Sequence, residues 1–237
     1  MVHERGAIVD GSCSVRLWYR TGDVAPLREL ARDKIVCLDV ETTGLDPHVD
    51  EVLQIALVRG DDEVLLSRHV RPEHHSSWPS AQRAHGISPS MVVGSPSLVS
   101  LKGEIEKVFE NVDLVVGYNA AFDLLLLQAA GISFGGAPVF DVMREFAPVA
   151  GRWDADRRRY SWVPLAYCAK YYGVSLRAHD ALEDARATLG CFWAMIGTDS
   201  GESRSTPYGS YLDVVARYSR AKAYKRGGQD EWAHSSN

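Results

Sequence analysis

Three short apolar runs follow one another after residue 33, separated by turn-like segments. They cover residues 34–41 (KIVCLDVE), 51–60 (EVLQIALVRG) and 62–72 (DEVLLSRHVRP). Parallel neighbours need a long crossover connection, whereas these connections are short. The pattern therefore predicts three antiparallel strands in sequence.

The rest of the apolar pattern alternates between strand-like runs and helical spacing. Helices are predicted over 95–111, 120–131, 163–174 and 180–197, and strands over 113–119 and 139–143. Asp180 and Glu183 have the spacing of a capping box at the start of the last helix. The element order β-β-β-α-β-α-β-α-α predicts an α/β fold.

These elements predict one domain over residues 34–197. Residues 1–33 are weakly patterned and are interpreted as an N-terminal extension. Residues 198–207 are rich in Gly, Ser and Thr and are interpreted as a linker. Residues 208–237 are predicted to hold a basic helix and a tail; docking on the domain is favoured for that helix, with nucleic-acid contact as a secondary role.

Composition places the chain among ordinary globular proteins and narrows its class. The 237 residues are 46% hydrophobic and 24% charged, with a net charge of −5. This charge argues against a sequence-independent DNA coat, which would be strongly basic, but is compatible with a carboxylate metal site. No apolar run is long enough to span a membrane and no secretory leader is recognisable, so a cytoplasmic location is predicted. Cys37, Cys168 and Cys191 lie in apolar segments, where buried free thiols are expected.

The first predicted strand ends in two carboxylates. Asp39 and Glu41 are two residues apart, so both side chains leave the same face of a strand. Two anions held together repel each other unless a cation or a proton lies between them. A solvated strand end is the simpler explanation of such a pair taken alone.

Two further acidic positions lie at predicted helix starts. Asp123 follows the strand 113–119 directly and precedes four leucines, which places it at the rim of a core. His179 lies just before the N-cap Asp180, and Asp184 is one turn into the same helix. Each position has an ordinary structural explanation by itself, as a helix-dipole partner or a loop residue.

Together these segments resemble the DEDDh (DnaQ-like) 3′–5′ exonucleases, the group that includes the proofreading exonuclease subunit of bacterial DNA polymerase III. The first motif, DxETTGL, is matched by Asp39, Glu41, Thr42, Thr43, Gly44 and Leu45. The second, NxxFD, is matched by Asn119, Phe122 and Asp123, and the third, HxAxxD, by His179, Ala181 and Asp184. An HGI element is matched by His85, Gly86 and Ile87.

The resemblance implies an RNase H-like mixed sheet, in which three antiparallel strands precede alternating helices and parallel strands, flanked by helices. It also implies two divalent cations, Mg²⁺ or Mn²⁺, held by Asp39, Glu41, Asp123 and Asp184. Oxygen ligands without clustered thiols suit these ions. His179 would then take the proton from the attacking water.

The resemblance further implies that the 3′ end of a strand contacts the remaining motif positions. They are Thr42, Thr43, Gly44, Leu45, His85, Asn119 and Phe122. Three of these keep structural alternatives: Leu45 as a plain turn residue, His85 as a structural loop histidine, and Phe122 as core packing. A loop at 152–162 (RWDADRRRYSW) combines arginines with aromatics, which suits either a single strand or a solvated surface.

The expected function is a metal-dependent 3′–5′ exonuclease that releases nucleoside 5′-monophosphates, with single-stranded DNA favoured. The alternatives are a 3′–5′ exoribonuclease or oligoribonuclease, and, from another class, a catalytically silent nucleic-acid-binding module associated with a polymerase. The sugar preference is left open because nothing in the sequence displays how a 2′-OH is met. A DNA polymerase or a repair protein is a further expected partner, and no association with a membrane is expected.

Overall fold

The computed structural model describes residues 5–9, 13–17 and 25–197 of the chain. The predicted linker at 198–207 and the predicted basic helix and tail at 208–237 lie outside the described residues, as does part of the extension at 1–33.

The strands form one large sheet and one small hairpin. They are β1 (Arg5–Val9), β2 (Cys13–Leu17), β3 (Ile35–Thr42), β4 (Val52–Arg59), β5 (Val64–His69), β6 (Leu114–Gly117), β7 (Val139–Asp141), β8 (Trp153–Asp154) and β9 (Arg159–Tyr160). The large sheet has the order β1-β2-β7-β6-β3-β4-β5, and β8 pairs with β9.

The sheet is mixed, as predicted. β3, β4 and β5 pair antiparallel, whereas β6 pairs parallel to both β3 and β7. The β1–β2 hairpin extends the sheet beyond β7, so residues before 34 contribute strands to it. The carboxyl ends of β3, β6 and β7 consequently meet at one edge, where ligand sites of such sheets form.

Helices cover the sheet. They are α1 (Ala25–Arg28), α2 (Pro79–His85), α3 (Pro89–Val92), α4 (Lys102–Phe109), α5 (Ala120–Ala129), α6 (Val142–Ala150), α7 (Leu165–Tyr172) and α8 (Ala181–Ile196), with 3₁₀ turns at Arg32–Lys34 and Val99–Leu101. Within the described ranges, none of these helices has the length and apolar character needed to cross a bilayer.

Some predicted boundaries were wrong. The strand predicted over 139–143 ends at Asp141, because the Asp141 carboxylate accepts a hydrogen bond from the Arg144 N–H and begins α6. The helix predicted from residue 95 becomes α-helical only at Lys102, after a 3₁₀ turn. Asp180 caps α8 as predicted, because its carboxylate accepts bonds from the N–H groups of Leu182 and Glu183. The Glu183 carboxylate, predicted to complete a capping box, lies 3.6 Å from Arg186.

Two hydrophobic clusters sandwich the sheet and set the orientation of β3. Ile35 and Cys37 face the cluster built with α6, α7 and α8. Val36 and Leu38 face the other cluster, built with α4 and α5. The predicted buried thiols are confirmed for Cys37, Cys168 and Cys191, which are free cysteines in the core.

Candidate active site

The alternation of β3 determines where its two carboxylates lie. Odd-numbered side chains of the strand face α8, and the Cys37 thiol donates to the Ala185 carbonyl of that helix at 3.2 Å. Asp39 and Glu41 continue the same face to the end of the strand, where both are half-buried. They therefore face the first turn of α8.

That first turn brings the third motif to β3. The Asp180 cap starts the helix, and Asp184 follows one turn later. The N–H of His179 donates to Asp184 Oδ2 at 3.2 Å, and His179 adopts a left-handed backbone conformation with φ +73°. Ligand atoms of Glu41, His179 and Asp184 all lie within 4.8 Å of one another.

Asp123 reaches the same edge from the opposite side of the sheet. Asn119 starts α5 with a left-handed backbone, φ 64°, and its N–H donates to Asp141 Oδ1 at 3.1 Å. This turn directs the first helical turn inward, and Asp123 is 4% exposed. Its charge raises the pKa of Asp39, so the two carboxyls are close enough to interact.

The four carboxyls share one electrostatic environment. Burial, and next the charge of Asp123, raise the pKa of Asp39 well above its usual range. Burial, followed by Asp184, raises the pKa of Glu41 to about 7. The pKa values of Asp123 and Asp184 are also raised, with burial as the main cause. Such a cluster favours protons or cations over the bare anions.

The residues present fit divalent cations. Asp123 Oδ2 and Asp184 Oδ1 are buried and have no hydrogen-bond partner. Buried carboxylate oxygens normally have partners, so these two atoms are available as ligands. Hard carboxylate oxygens of this kind are the ligands of Mg²⁺ and Mn²⁺.

Gln54 is a site residue that the sequence reasoning missed. It lies on β4 opposite Glu41 and is 7% exposed. Its Nε2 donates to Asp180 Oδ2 at 3.1 Å, and its Oε1 accepts the Ala181 N–H at 3.3 Å. Gln54 thus fastens the start of α8 to the sheet; the available signal was one amide inside an otherwise apolar strand, EVLQIALV.

The turn after β3 is held by Asp50. Its Oδ1 accepts a bond from Thr43 Oγ1 at 2.8 Å, and its Oδ2 accepts the Asp46 N–H at 2.9 Å. A Cβ at Gly44 would lie 2.6 Å from the Asp50 carboxyl carbon, so a larger residue there would have to displace that carboxylate and its bonds to the turn. Leu45 at its tip is 88% exposed, so its side chain is accessible from solvent.

A neighbouring loop supports this turn through Glu51. The Glu51 carboxylate accepts the N–H groups of Glu73, His74 and His75 and lies 2.7 Å from His75 Nδ1. Those hydrogen bonds lower the pKa of Glu51 although its partial burial opposes the shift. The loop is thereby joined to the start of β4.

The other predicted contact residues have structural partners. His85 Nδ1 accepts the Ile87 N–H at 3.0 Å, and its Nε2 lies 3.1 Å from the Thr42 carbonyl, to which it donates in that tautomer. Both ring nitrogens are therefore engaged within the protein. Phe122 lies on α5 and is half-buried against the core, which favours the packing alternative.

Comparisons with known proteins find exonucleases among those similar to this chain. A family model described as an exonuclease, RNase_T, matches residues 36–192. The uncharacterized exonuclease CP81 of Escherichia phage 186 is 28% identical over 178 residues, or 69% of this chain and 88% of that protein. The PolC-type DNA polymerase III of Thermotoga petrophila is 30% identical over 190 residues, which are 73% of this chain but 13% of the polymerase.

Solved structures share the fold. Escherichia coli Exonuclease I in complex with a dA16 oligonucleotide matches with a TM-score of 0.56 and 18% identity, over 70% of this chain and 41% of that one. The zinc-bound form of its complex with single-stranded DNA matches with a TM-score of 0.55 and 19% identity, over 70% of this chain and 41% of that one. The present chain spans less than half the length of Exonuclease I, and the likeness at this identity concerns the fold.

Proposed function

The chain belongs to the RNase T exonuclease family, and on this premise we propose that it removes nucleotides from the 3′ end of single-stranded DNA by metal-dependent hydrolysis. The observation that carries the proposal is the convergence of Asp39, Glu41, Asp123, His179 and Asp184 at one edge of the sheet. The products would be nucleoside 5′-monophosphates.

The four carboxylates would hold two divalent cations. These ions would supply charge stabilisation to the attacking and leaving oxygens of an in-line displacement at phosphorus. The partnerless oxygens of Asp123 and Asp184 support this role for the two residues. Asp39, whose pKa is raised by burial and by the charges of Asp123, Asp184 and Glu41, would be a further ligand in the same cluster.

His179 would act as the general base. An imidazole nitrogen would accept a proton from the attacking water, and the nearby carboxylates of Glu41 and Asp184 would stabilise the imidazolium. The exposed position of His179 leaves its ring accessible to substrate, while the bond from its N–H to Asp184 orients the backbone.

The preference for DNA rests on the solved structures and relatives that the chain resembles. Exonuclease I was crystallised with dA16 and dT13, and PolC-type polymerases are relatives of this chain. The exposed Leu45 would lie against the terminal base. Thr42 and Thr43 are buried, and their hydroxyls bond within the turn, to the Gly44 carbonyl and to Asp50. These two residues would therefore hold the turn that presents Leu45. A polymerase or repair partner and a cytoplasmic location stay predictions.

A single assay tests the proposal. Purified protein is incubated with matched DNA and RNA oligonucleotides, single- and double-stranded and labelled at the 5′ end, with Mg²⁺, Mn²⁺ or EDTA. We expect stepwise shortening of single-stranded DNA from the 3′ end with either ion and none with EDTA. Shortening of RNA alone would establish the exoribonuclease alternative. No shortening of any substrate would reject the proposed activity and favour the silent binding module.

Asp39→Asn and Asp184→Asn test the site assignment in the same assay. Each should lower the rate at least about a hundredfold, because an amide no longer balances the cation charge. Asp62→Asn is the matched control, since Asp62 pairs with Arg186 near the opposite end of β3 and its loss should leave the rate unchanged. Near-normal hydrolysis by either site variant would contradict the assignment.

A further inference from the structure

An arginine-rich hairpin projects from the domain between α6 and α7. This hairpin, residues 152–162, is built on the β8–β9 pair and closed by a bond from the Ser161 N–H to the Arg152 carbonyl at 2.7 Å. It carries four arginines and two aspartates in a chain whose net charge is −5. Arg157 and Arg158 at its tip are exposed, and Arg157 lies only loosely, at 3.9 Å, beside Asp154.

The same hairpin displays large aromatic side chains. Trp153 and Trp162 are each 43% exposed, whereas Trp78 and Trp193 lie buried in the domain. The Trp153 ring packs edge-on against Tyr160 at 5.1 Å. Exposed indoles fixed by neighbours are platforms on which unpaired bases can stack.

The base of the hairpin is attached to the candidate active site. Tyr118 Oη donates to the Val163 carbonyl at 2.6 Å, and Val163 directly follows Trp162. Tyr118 in turn directly precedes Asn119, whose turn starts the helix that carries Asp123. The base of the hairpin is therefore joined to the residue that directly precedes the second motif.

We propose that the hairpin binds the single strand upstream of the nucleotide being removed, with Arg157 and Arg158 at its phosphates and Trp153 and Trp162 against its bases. The proposal rests on the proposed function, because the strand in question is the one that ends in the site. Positive charge suits the phosphates, and stacking on an indole requires bases that are not paired.

Binding measurements without catalysis test the hairpin separately. Fluorescence anisotropy is followed for labelled oligothymidylates of 3 and 16 nucleotides in EDTA, with wild type and with Arg157→Gln/Arg158→Gln. The variant should bind the 16-mer about tenfold more weakly. The slope of log affinity for the 16-mer against log salt concentration should be smaller in magnitude by about 1.4, which is about 0.7 for each of the two lost phosphate contacts. The variant should bind the 3-mer with the same affinity as the wild type does.

Two further variants give the test its controls. Arg59→Gln/Arg186→Gln removes the same charge at the other end of the sheet, where Arg59 pairs with Val36 at the start of β3, and should leave both affinities unchanged. Trp162→Ala should weaken binding of the 16-mer at every salt concentration, because stacking is not a counterion effect. Thermal melting verifies that each variant is folded.

The outcomes separate this proposal from the proposed function. The hairpin surface would be overturned by any of three results with Arg157→Gln/Arg158→Gln. These are an affinity that falls equally for the 3-mer and the 16-mer, one that falls no more than that of Arg59→Gln/Arg186→Gln, and one that does not fall at all. A hairpin-dependent 16-mer affinity in a protein that releases no nucleotide would leave this surface standing and reject the exonuclease activity.

Discussion

Gly44 illustrates how a single position controls the shape of the site. The Asp50 carboxylate approaches its Cα so closely that a methyl group would overlap it, and Thr43 and Asp46 hold that carboxylate in place. The glycine of the first motif therefore has a requirement inside the protein, independent of any bound nucleotide.

Gly44→Ala should cost about 1–3 kcal/mol in the free energy of unfolding, as overpacking does, and should raise KM by displacing the turn. Combination with Asp50→Ala tests the cause. The second change removes the overlapping group, so the loss in the double variant should be smaller than the sum of the two single losses. Additive losses measured by denaturant unfolding would refute the contact.

His179 allows the general base to be told apart from a metal ligand. His179→Ala should lower kcat about 10²- to 10⁴-fold, the usual contribution of a positioned base. Mn²⁺ affinity, measured by titration calorimetry, should stay within a few-fold of wild type, because the four carboxylates remain. A large loss of affinity would instead identify His179 as a ligand.

At the scale of elements, the important contact joins β4 to the start of α8. Gln54 bonds both to the side chain of Asp180 and to the backbone of Ala181, and so fixes the turn that carries His179 and Asp184. Its removal would leave a partly buried carboxylate oxygen of Asp180 and the buried N–H of Ala181 without these partners, at a cost of about 1–3 kcal/mol.

Gln54→Ala should therefore lower both the melting temperature and kcat, and weaken Mn²⁺ binding, because Asp184 is no longer held against Glu41. Gln54→Glu is a matched variant of nearly the same shape. Its carboxylate can still accept the Ala181 N–H, but a carboxylate oxygen would replace the N–H donor that faces Asp180 Oδ2. The two carboxylates would repel each other, so α8 should again be displaced. If either variant loses stability while kcat and Mn²⁺ affinity stay at wild-type values, Gln54 is a fold residue alone.

For the molecule as a whole, the acidic cluster links stability to pH and to metal. The pKa of Glu41 rises to about 7 in the folded chain, and those of Asp39, Asp123 and Asp184 also rise. The folded state then binds more protons than the unfolded chain, so this contribution to stability is present at low pH and is lost as pH rises through about 7.

Thermal melting in EDTA should consequently show a lower melting temperature at pH 8 than at pH 5.5. Added Mg²⁺ or Mn²⁺ should raise the melting temperature more at pH 8, because ions bind the deprotonated carboxylates and stabilise the folded state. Glu41→Gln should flatten the pH dependence in EDTA. A wild-type melting temperature that rises between pH 5.5 and 8 in EDTA would contradict the linkage.

Much of this arrangement was determined by local sequence. The alternation in KIVCLDVE puts Asp39 and Glu41 on one face, short connections make the first three strands antiparallel, and Asp180 starts the last helix. These features depend on residues within a few positions of one another, which is why a pattern along the chain is sufficient to predict them.

Tertiary structure decided which of these local features meet. The bond between Gln54 and Asp180 joins residues 126 positions apart, and Asp123 and Asp39 approach because β6 lies beside β3. Helix α6 was missed because β7 runs directly into it at Asp141 and because Pro148, a residue that normally interrupts helices, lies within it. Sheet order and register are set by the packing of the whole core, and no local pattern contains them.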